Sequence, residues 1–282
     1  MRALLVGCGK MGGYHLNSIR AAESIESVSV VEPHRLSKEL LQNETHFLSL
    51  RECINSGYHD LAVVASPTST HVDMAEMILN SGTKVLIEKP ISDNTISARR
   101  LKKYSDLLAV GHIERFNPVV ESLTDILKNR KIDSCSFFRL SSFPNRITDV
   151  GVDLDLSIHD LDLSIHILGS ACVVDRDKRL DDLGRVVDAK YLLDCNGIPV
   201  TIHSSWLHKS VDRKIVVESE GDLIVGDLVN KQVFINNRLL DLPNLDSPDQ
   251  LTKQLFSFLN FVRGEDTKIC GYTEAVSVLE LV

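Results

Sequence analysis

The chain has 282 residues, of which 43% are hydrophobic and 25% charged, with a formal charge of −8. That length allows two domains of ordinary size, and the composition is that of a globular protein rather than a disordered or fibrous one. The negative balance excludes the broad basic footprint of a nucleic-acid binder, and no apolar run approaches the ~18 residues that span a bilayer, so neither nucleic acid nor membrane is expected as a partner.

The opening run Arg2–Val6 is a short apolar strand that stops at Gly7-Cys8-Gly9, too abruptly for a targeting segment. Helical periodicity follows from Gly12 to about Ala22, then an alternating strand over Ser27–Val31 and a short helix over Leu36–Leu41. Leu61–Ala65 is a buried strand leading into Ser66-Pro67-Thr68, and His71–Asn80 is a helix ended by Ser81-Gly82. Lys84–Ile87 is the next strand, followed by a helix near Ile96–Leu107 and a strand at Leu108–His112. Short apolar strands alternating with helices specify a parallel sheet covered on both faces.

After about Glu114 the rhythm changes. A helix (Pro118–Lys128), a strand (Ser134–Leu140) and a loop with Pro144 and Asn145 precede a helix over Leu154–Leu168 that ends at Gly169. Strands then dominate at Val186–Cys195, Val200–Leu207, Arg213–Ser219, Asp222–Gly226 and Gln232–Ile235, before helices over Gln250–Val262 and from Thr273. The expected fold is α/β: a doubly wound parallel Rossmann sheet in residues 1–113, then an α+β domain with an open mixed or antiparallel sheet in 114–282. No linker composition separates them. The six cysteines (Cys8, Cys53, Cys135, Cys172, Cys195 and Cys270) are scattered without zinc-ligand spacing, which fits buried thiols in a reducing cytoplasm.

Gly7-Cys8-Gly9-Lys10-Met11-Gly12 is a G-x-G-x-x-G turn after a strand and at the start of a helix. Its glycines permit the tight turn, the close approach of a pyrophosphate to backbone N–H groups, and helix-on-strand packing. Glu32 closes the second strand about 20 residues past Gly12, where a carboxylate bonds ribose hydroxyls and repels a 2′-phosphate. NAD is therefore favoured over NADP, with nearby Arg35 as the counter-argument. Glu88-Lys89-Pro90 follows a parallel strand, at the sheet edge where ligands bind. Pro90 favours an extended Lys89, whose ammonium is suited to polarise a hydroxyl or steady an alkoxide; a surface salt bridge is the plainer alternative.

In the stretch 153–166, Asp155, His159, Asp162 and His166 recur at helical spacing, opposite Leu154, Ile158, Leu161 and Ile165. The polar face carries no lysine, arginine or glutamate, which is unusual for a solvated surface. His159 one turn after Asp155 suits a base oriented by a carboxylate. Zinc or manganese ligation and a purely structural helix are the rival readings; no metal is expected if Lys89 supplies the positive charge.

Together Gly7–Gly12, Ser66-Pro67-Thr68-Ser69-Thr70-His71, Glu88-Lys89-Pro90 and Asp155-x-x-x-His159 resemble the glucose–fructose oxidoreductase / inositol dehydrogenase family, Gfo/Idh/MocA, in order from residue 1 to about 220. The resemblance implies an NAD-dependent oxidoreductase acting on a sugar hydroxyl, with Lys89, Asp155 and His159 lining the catalytic site. It also implies that the segment around Ser66, Pro67 and His71, with Glu88 and Lys89, lies beside the cofactor. Val110–Pro118 (VGHIERFNP) and Ile158–Asp162 (IHDLD) narrow the likeness to UDP-N-acetylglucosamine 3-dehydrogenases, which form a 3-keto sugar. Against the family, the chain is short and stops within the expected last helix.

On this reading Arg115, Asn117, Trp206 and Arg213 are candidate substrate contacts beside His159, the arginines for a diphosphate and Trp206 as an apolar platform. An inositol or simple hexose dehydrogenase and a non-catalytic nucleotide sensor are the alternatives. A homodimer or homotetramer is what the resemblance implies, with the strand-rich second domain offering a sheet face.

Overall fold

A computed structural model describes residues 1–34, 36, 38–144, 150–242 and 248–282. By contact density these form two compact units, Met1–His112 with Asp249–Ser277, and Ile113–Pro248 with Val278–Val282. A contiguous division at 113/114 differs from this, because the C-terminal helical tract returns to the first unit.

The first unit begins with β1 (Arg2–Val6), α1 (Lys10–Ala21), β2 (Ser27–Val31), β3 (Glu44–Phe47), α2 (Leu50–Ser56) and β4 (Leu61–Val64). It continues through α3 (His71–Leu79), β5 (Lys84–Glu88), α4 (Thr95–Arg99) and β6 (Leu108–Gly111). The parallel strands run in the order β6-β5-β4-β1-β2-β3. This is the doubly wound arrangement, whose order reverses between β1 and β4. Leu4, Leu5, Val63, Val64, Val85, Leu86 and Val110 are all fully buried, as a sheet covered on both faces requires.

Within residues 1–112, two elements are additional to the sequence expectation: β3 and α2. Of the expected helix over Leu36–Leu41, residues 38–41 are non-helical, and Ser37, like Arg35, lies outside the described residues. The helix expected to Leu107 is α4 followed by a 3-10 stretch, Arg100–Leu107.

The second unit holds α5 (Pro118–Leu127), β7 (Ile132–Ser142), α6 (Ile158–Leu168), β8 (Ala171–Leu180), β9 (Val186–Cys195) and β10 (Ile198–Ser205). Four further strands follow: β11 (Leu207–Ser219), β12 (Asp222–Asp227), β13 (Gln232–Ile235) and β14 (Arg238–Leu240). They form one mixed sheet, β14-β13-β12-β11-β7-β10-β9-β8, in which β7 and β10 are parallel and every other pair antiparallel. Burial alternates along β7, with Cys135, Phe137 and Arg139 inward, so a charged residue occupies an apolar parity position.

The chain then returns through α7 (Gln250–Arg263), β15 (Cys270–Gly271) and α8 (Tyr272–Leu281). β15 adds an antiparallel edge to β6. Lys84 Nζ donates to the carbonyls of Phe261 (2.9 Å) and Val262 (3.1 Å), fastening the end of α7 to β5. Among the described residues no helix is long and apolar enough to cross a membrane.

Candidate functional site

In the first unit, β1 ends in the glycine turn. Gly7 has φ +87°, and a Cβ there would lie 2.7 Å from the Ala65 carbonyl, so the turn closes directly on the end of β4. At Gly12 a Cβ would meet the Gly7 carbonyl itself, which makes the third glycine a packing requirement. At Gly9 the same construction meets nothing within 4 Å. Gly9 is also the N-cap of α1, with no side chain capping the helix. Uncapped N–H groups facing open space at the positive end of a helix fit a pyrophosphate.

Glu32 is tied into this turn. Its Oε2 accepts the Cys8 N–H at 2.9 Å and its Oε1 accepts the His34 N–H at 3.1 Å, while His46 Nε2 donates to its carbonyl at 2.8 Å. The carboxylate is thus held beside the glycine turn with acceptor capacity left for two hydroxyls. Burial raises the pKa of the Cys8 thiol and the Glu32 charge raises it further, so Cys8 stands as a protonated, inert thiol.

A cavity of about 800 Å³ opens here, walled by Gly7, Gly9, Glu32, Ser66 and Pro67 together with Leu48, Ser49, Arg51, Met74 and Met77. Its volume and its largely apolar wall with a few polar groups suit a dinucleotide's adenosine half. The second group of wall residues went unnoticed in the sequence. Ser49-x-x-Glu52 was the available signal: Ser49 Oγ accepts from the Glu52 N–H and starts α2. Lys10, Met11, Gly12, His71, Glu88 and Lys89 are outside the wall. Gly12 lies beneath the turn, and Lys10 is exposed.

His71 and Glu88 act as buried supports. The Pro90 and Ser66 carbonyls lie 2.9 Å from His71 Nδ1 and Nε2, linking the Glu-Lys-Pro turn to the turn after β4. Burial lowers the His71 pKa more than those carbonyls raise it. Glu88 accepts from His15 Nε2 at 2.5 Å and from the Lys89 N–H at 3.2 Å. Burial raises its pKa, but the His15 bond and charge and the Lys89 charge outweigh that, leaving it below the usual value. The Lys89–Pro90 peptide is cis, and Lys89 is half-buried.

In the second unit, the helix expected over 154–168 has two parts. Asp153–Ser157 is π-helical, and α6 follows without a break. Asp155 sits in the wider turn and His159 at the start of α6, both half-buried. A π turn inserted at the head of an α-helix redirects side chains and recurs at functional sites. The uniform face expected from i, i+4, i+7 spacing does not hold. Asp162 is buried, bound bidentately by Arg115 (Nε to Oδ2 2.9 Å, Nη2 to Oδ1 2.6 Å), and His166 is half-buried.

Asp160, absent from the expected site, is gripped by Arg139 through Nε (3.0 Å) and Nη2 (2.7 Å). Arg139 Nη1 also donates to Glu114 Oε1 at 2.9 Å. Burial pulls the Arg139 pKa down, but Asp160 and Glu114 overcome it and the pKa rises; burial raises Asp160 against the pull of Arg139. The bidentate geometry favours the charged pair.

Of the expected substrate contacts, Arg115 donates from Nε and Nη2 to Asp162. Asn117 caps α5, its Oδ1 accepting from Val119 N–H (3.1 Å) and its Nδ2 donating to Glu114 (3.1 Å) and the Leu228 carbonyl (3.3 Å). Trp206 is 2% exposed with its ring edge-on to Phe143, so it offers no open platform. Arg213 is different: its side chain is 39% exposed, and its nearest acid is Glu114 at 3.7 Å. The two segments IERFN and IHDLD are thus one ion-paired assembly.

Comparison with known proteins agrees with this architecture. Residues 1–111 match the model of the Gfo/Idh/MocA family, described as an oxidoreductase family with an NAD-binding Rossmann fold. Over 96% of this chain and 91% of the relative, it is 24% identical to UDP-N-acetylglucosamine 3-dehydrogenase of Acidithiobacillus ferrooxidans. A solved structure of that enzyme superposes with a TM-score of 0.86 at 25% identity, covering 99% of this chain and 94% of that one. Myo-inositol 2-dehydrogenase of Thermotoga maritima is 27% identical over 60% of this chain and 55% of its own length. The WlbA dehydrogenase of Bordetella pertussis, in complex with NADH and UDP-GlcNAcA, shares the fold at a TM-score of 0.81 and 17% identity, over 99% and 92% of the two chains. Residues 1–111, with their glycine turn, tethered Glu32 and 3-2-1-4-5-6 parallel sheet, match the NAD-binding Rossmann domain of the Gfo/Idh/MocA oxidoreductase family.

Proposed function

We propose that this oxidoreductase is a cytoplasmic sugar dehydrogenase that oxidises a secondary hydroxyl, the 3-hydroxyl of UDP-N-acetylglucosamine, to a ketone. The observation that carries the reading is the coexistence of a fitted dinucleotide seat, the supported Lys89 turn, and half-buried Asp155 and His159 on a π-to-α junction. The end-to-end likeness to UDP-N-acetylglucosamine 3-dehydrogenase supports the finer assignment.

NAD, held by the glycine turn and Glu32, supplies a hydride acceptor when bound. His159, oriented by Asp155, takes the hydroxyl proton, and the Lys89 ammonium steadies the oxyanion as the carbonyl forms. Glu88 and His15 hold the Lys89 turn from behind. A homodimer or homotetramer, joined through the sheet of the second unit, completes the proposal.

The test is NADH formation at 340 nm with UDP-N-acetylglucosamine, UDP-glucose, myo-inositol and free N-acetylglucosamine. Turnover is expected with the first, falling by about 10²–10⁴ in kcat for Lys89→Ala and His159→Ala. Unchanged turnover in both variants, or turnover of myo-inositol alone, rejects it.

A further inference from the structure

Arg213 occupies an electrostatic position that Glu114, at 3.7 Å, relieves only in part. In the β7–β11 pair it stands directly opposite Arg139, and like charges at such a position repel. Both follow the inward parity of the sheet, Arg139 with Phe137 and Arg213 with Ile215. Two of the acids within range, Asp160 and Glu114, already accept from other donors. Asp160 gives both oxygens to Arg139, and Glu114 gives Oε1 to Arg139 and Oε2 to Asn117.

Among the described residues, Arg213 makes no side-chain hydrogen bond; Glu114 at 3.7 Å is its one ion-pair contact. Burial and the Arg139 charge lower its pKa, against the weaker pull of Glu114, Asp160 and Asp155. Arg213 is therefore a half-buried cation with its guanidinium fork unspent. It also lies close enough to Asp155, on the π turn, to feel that charge.

We propose that Arg213 receives an oxyanion carried by the substrate, so that the molecule oxidised by this chain bears a phosphate or carboxylate and is not a neutral sugar or cyclitol. Glu114 and Arg139 are the positioning residues: the buried Glu114 carboxylate steers the Arg213 side chain without consuming its donors. A bidentate contact from that fork to an oxyanion is charge-assisted and directional. The inference rests on the proposed function only for which molecule carries the oxyanion.

The experiment titrates the full chain, saturated with NAD, by calorimetry with UDP, N-acetylglucosamine 1-phosphate and glucuronate, alongside NADH formation from UDP-N-acetylglucosamine. At least one of the three oxyanions is expected to bind. Arg213→Gln is expected to weaken it by about 10- to 100-fold, the worth of a charged hydrogen bond, and Arg213→Lys to recover part of the loss. The affinity for NAD should not change. Whichever oxyanion binds identifies the source, nucleoside diphosphate, sugar phosphate or sugar acid. Equal binding by the native chain and Arg213→Gln, or no binding of any oxyanion by the native chain, overturns the inference. Oxyanion binding that depends on Arg213 without turnover of UDP-N-acetylglucosamine leaves the inference standing and removes the proposed substrate.

Discussion

Replacing Arg139 by methionine separates what the buried ion pairs cost from what they do. The guanidinium side chain is 1% exposed, and it satisfies Asp160 (2%) and Glu114 (8%) at once. Removing it leaves two carboxylates facing each other in a low-dielectric interior, where breaking one partner of a buried pair costs about 3–5 kcal/mol. At roughly 2–4 °C per kcal/mol for a chain of this size, the unfolding midpoint of Arg139→Met should fall by about 6–20 °C at pH 7. The loss should shrink as the pH falls, because the stranded carboxyls can then take up protons.

The double variant Arg139→Met/Asp160→Leu removes both charges and refills the volume, and apolar replacements of buried pairs are often neutral or stabilising. Glu114 keeps Asn117, and Arg213 is near enough to become its cationic partner. Most of the lost stability should return. Trp206, the sole tryptophan, lies in this unit, so its fluorescence in a urea titration reports the transition directly. A single variant that loses less than about 1 kcal/mol, or a double variant no more stable than the single, refutes this energetic account.

The glycine turn makes a paired prediction. Gly12→Ala forces a Cβ into the Gly7 carbonyl and should lower both the thermal midpoint and NADH affinity, whereas Gly9→Ala meets no protein atom. Gly9→Ala should therefore keep its unfolding free energy within about 0.5 kcal/mol, as a substitution clear of packing does, yet weaken NADH binding at least tenfold in a fluorescence titration. Equal effects of the two would show that the open space at Gly9 is not the cofactor's. For Glu88, the folded pKa lies below the ordinary carboxylate value. Its stabilisation is complete above that ordinary value and drains away as pH falls through the folded one. Glu88→Gln should thus show a flatter acid limb in calorimetry below about pH 5, and an unchanged slope would contradict the ion pair with His15.

How much of this was legible in the sequence follows from where the information is stored. β1, β4, β5 and β6 are continuous apolar runs because parallel strands are buried on both faces, so each announces itself locally. β3 (Glu-Thr-His-Phe) lies at the sheet edge, and β8 is largely exposed; pairing holds both rather than an apolar pattern, and both went unseen. The π turn left no trace in the spacing of aspartates and histidines, which fits a regular helix equally well. Asn117 carried a local signal that was passed over: asparagine before proline is an N-cap followed by N1. Arg139 was legible too, as a charge on the inward parity of a strand, though its partner 21 residues on was not.

Three arginines of the second unit, Arg115, Arg139 and Arg213, show why residue type alone does not assign a role. Arg115, Arg139 and Arg213 carry the same group, and each suits a diphosphate equally well on paper. What separates them is acceptor supply. Arg115 and Arg139 each meet a carboxylate from α6 in bidentate fashion and have become struts that fix the helix carrying His159. Arg213 reaches the same cluster after its oxygens are taken and stands 3.7 Å from the nearest. Asp160 and Asp162, just after His159, therefore decide, by which arginines they bind, which one is left to meet a ligand. Exchanging a strut for lysine should cost packing and register, whereas the same exchange at Arg213 should cost affinity for an anion and little else.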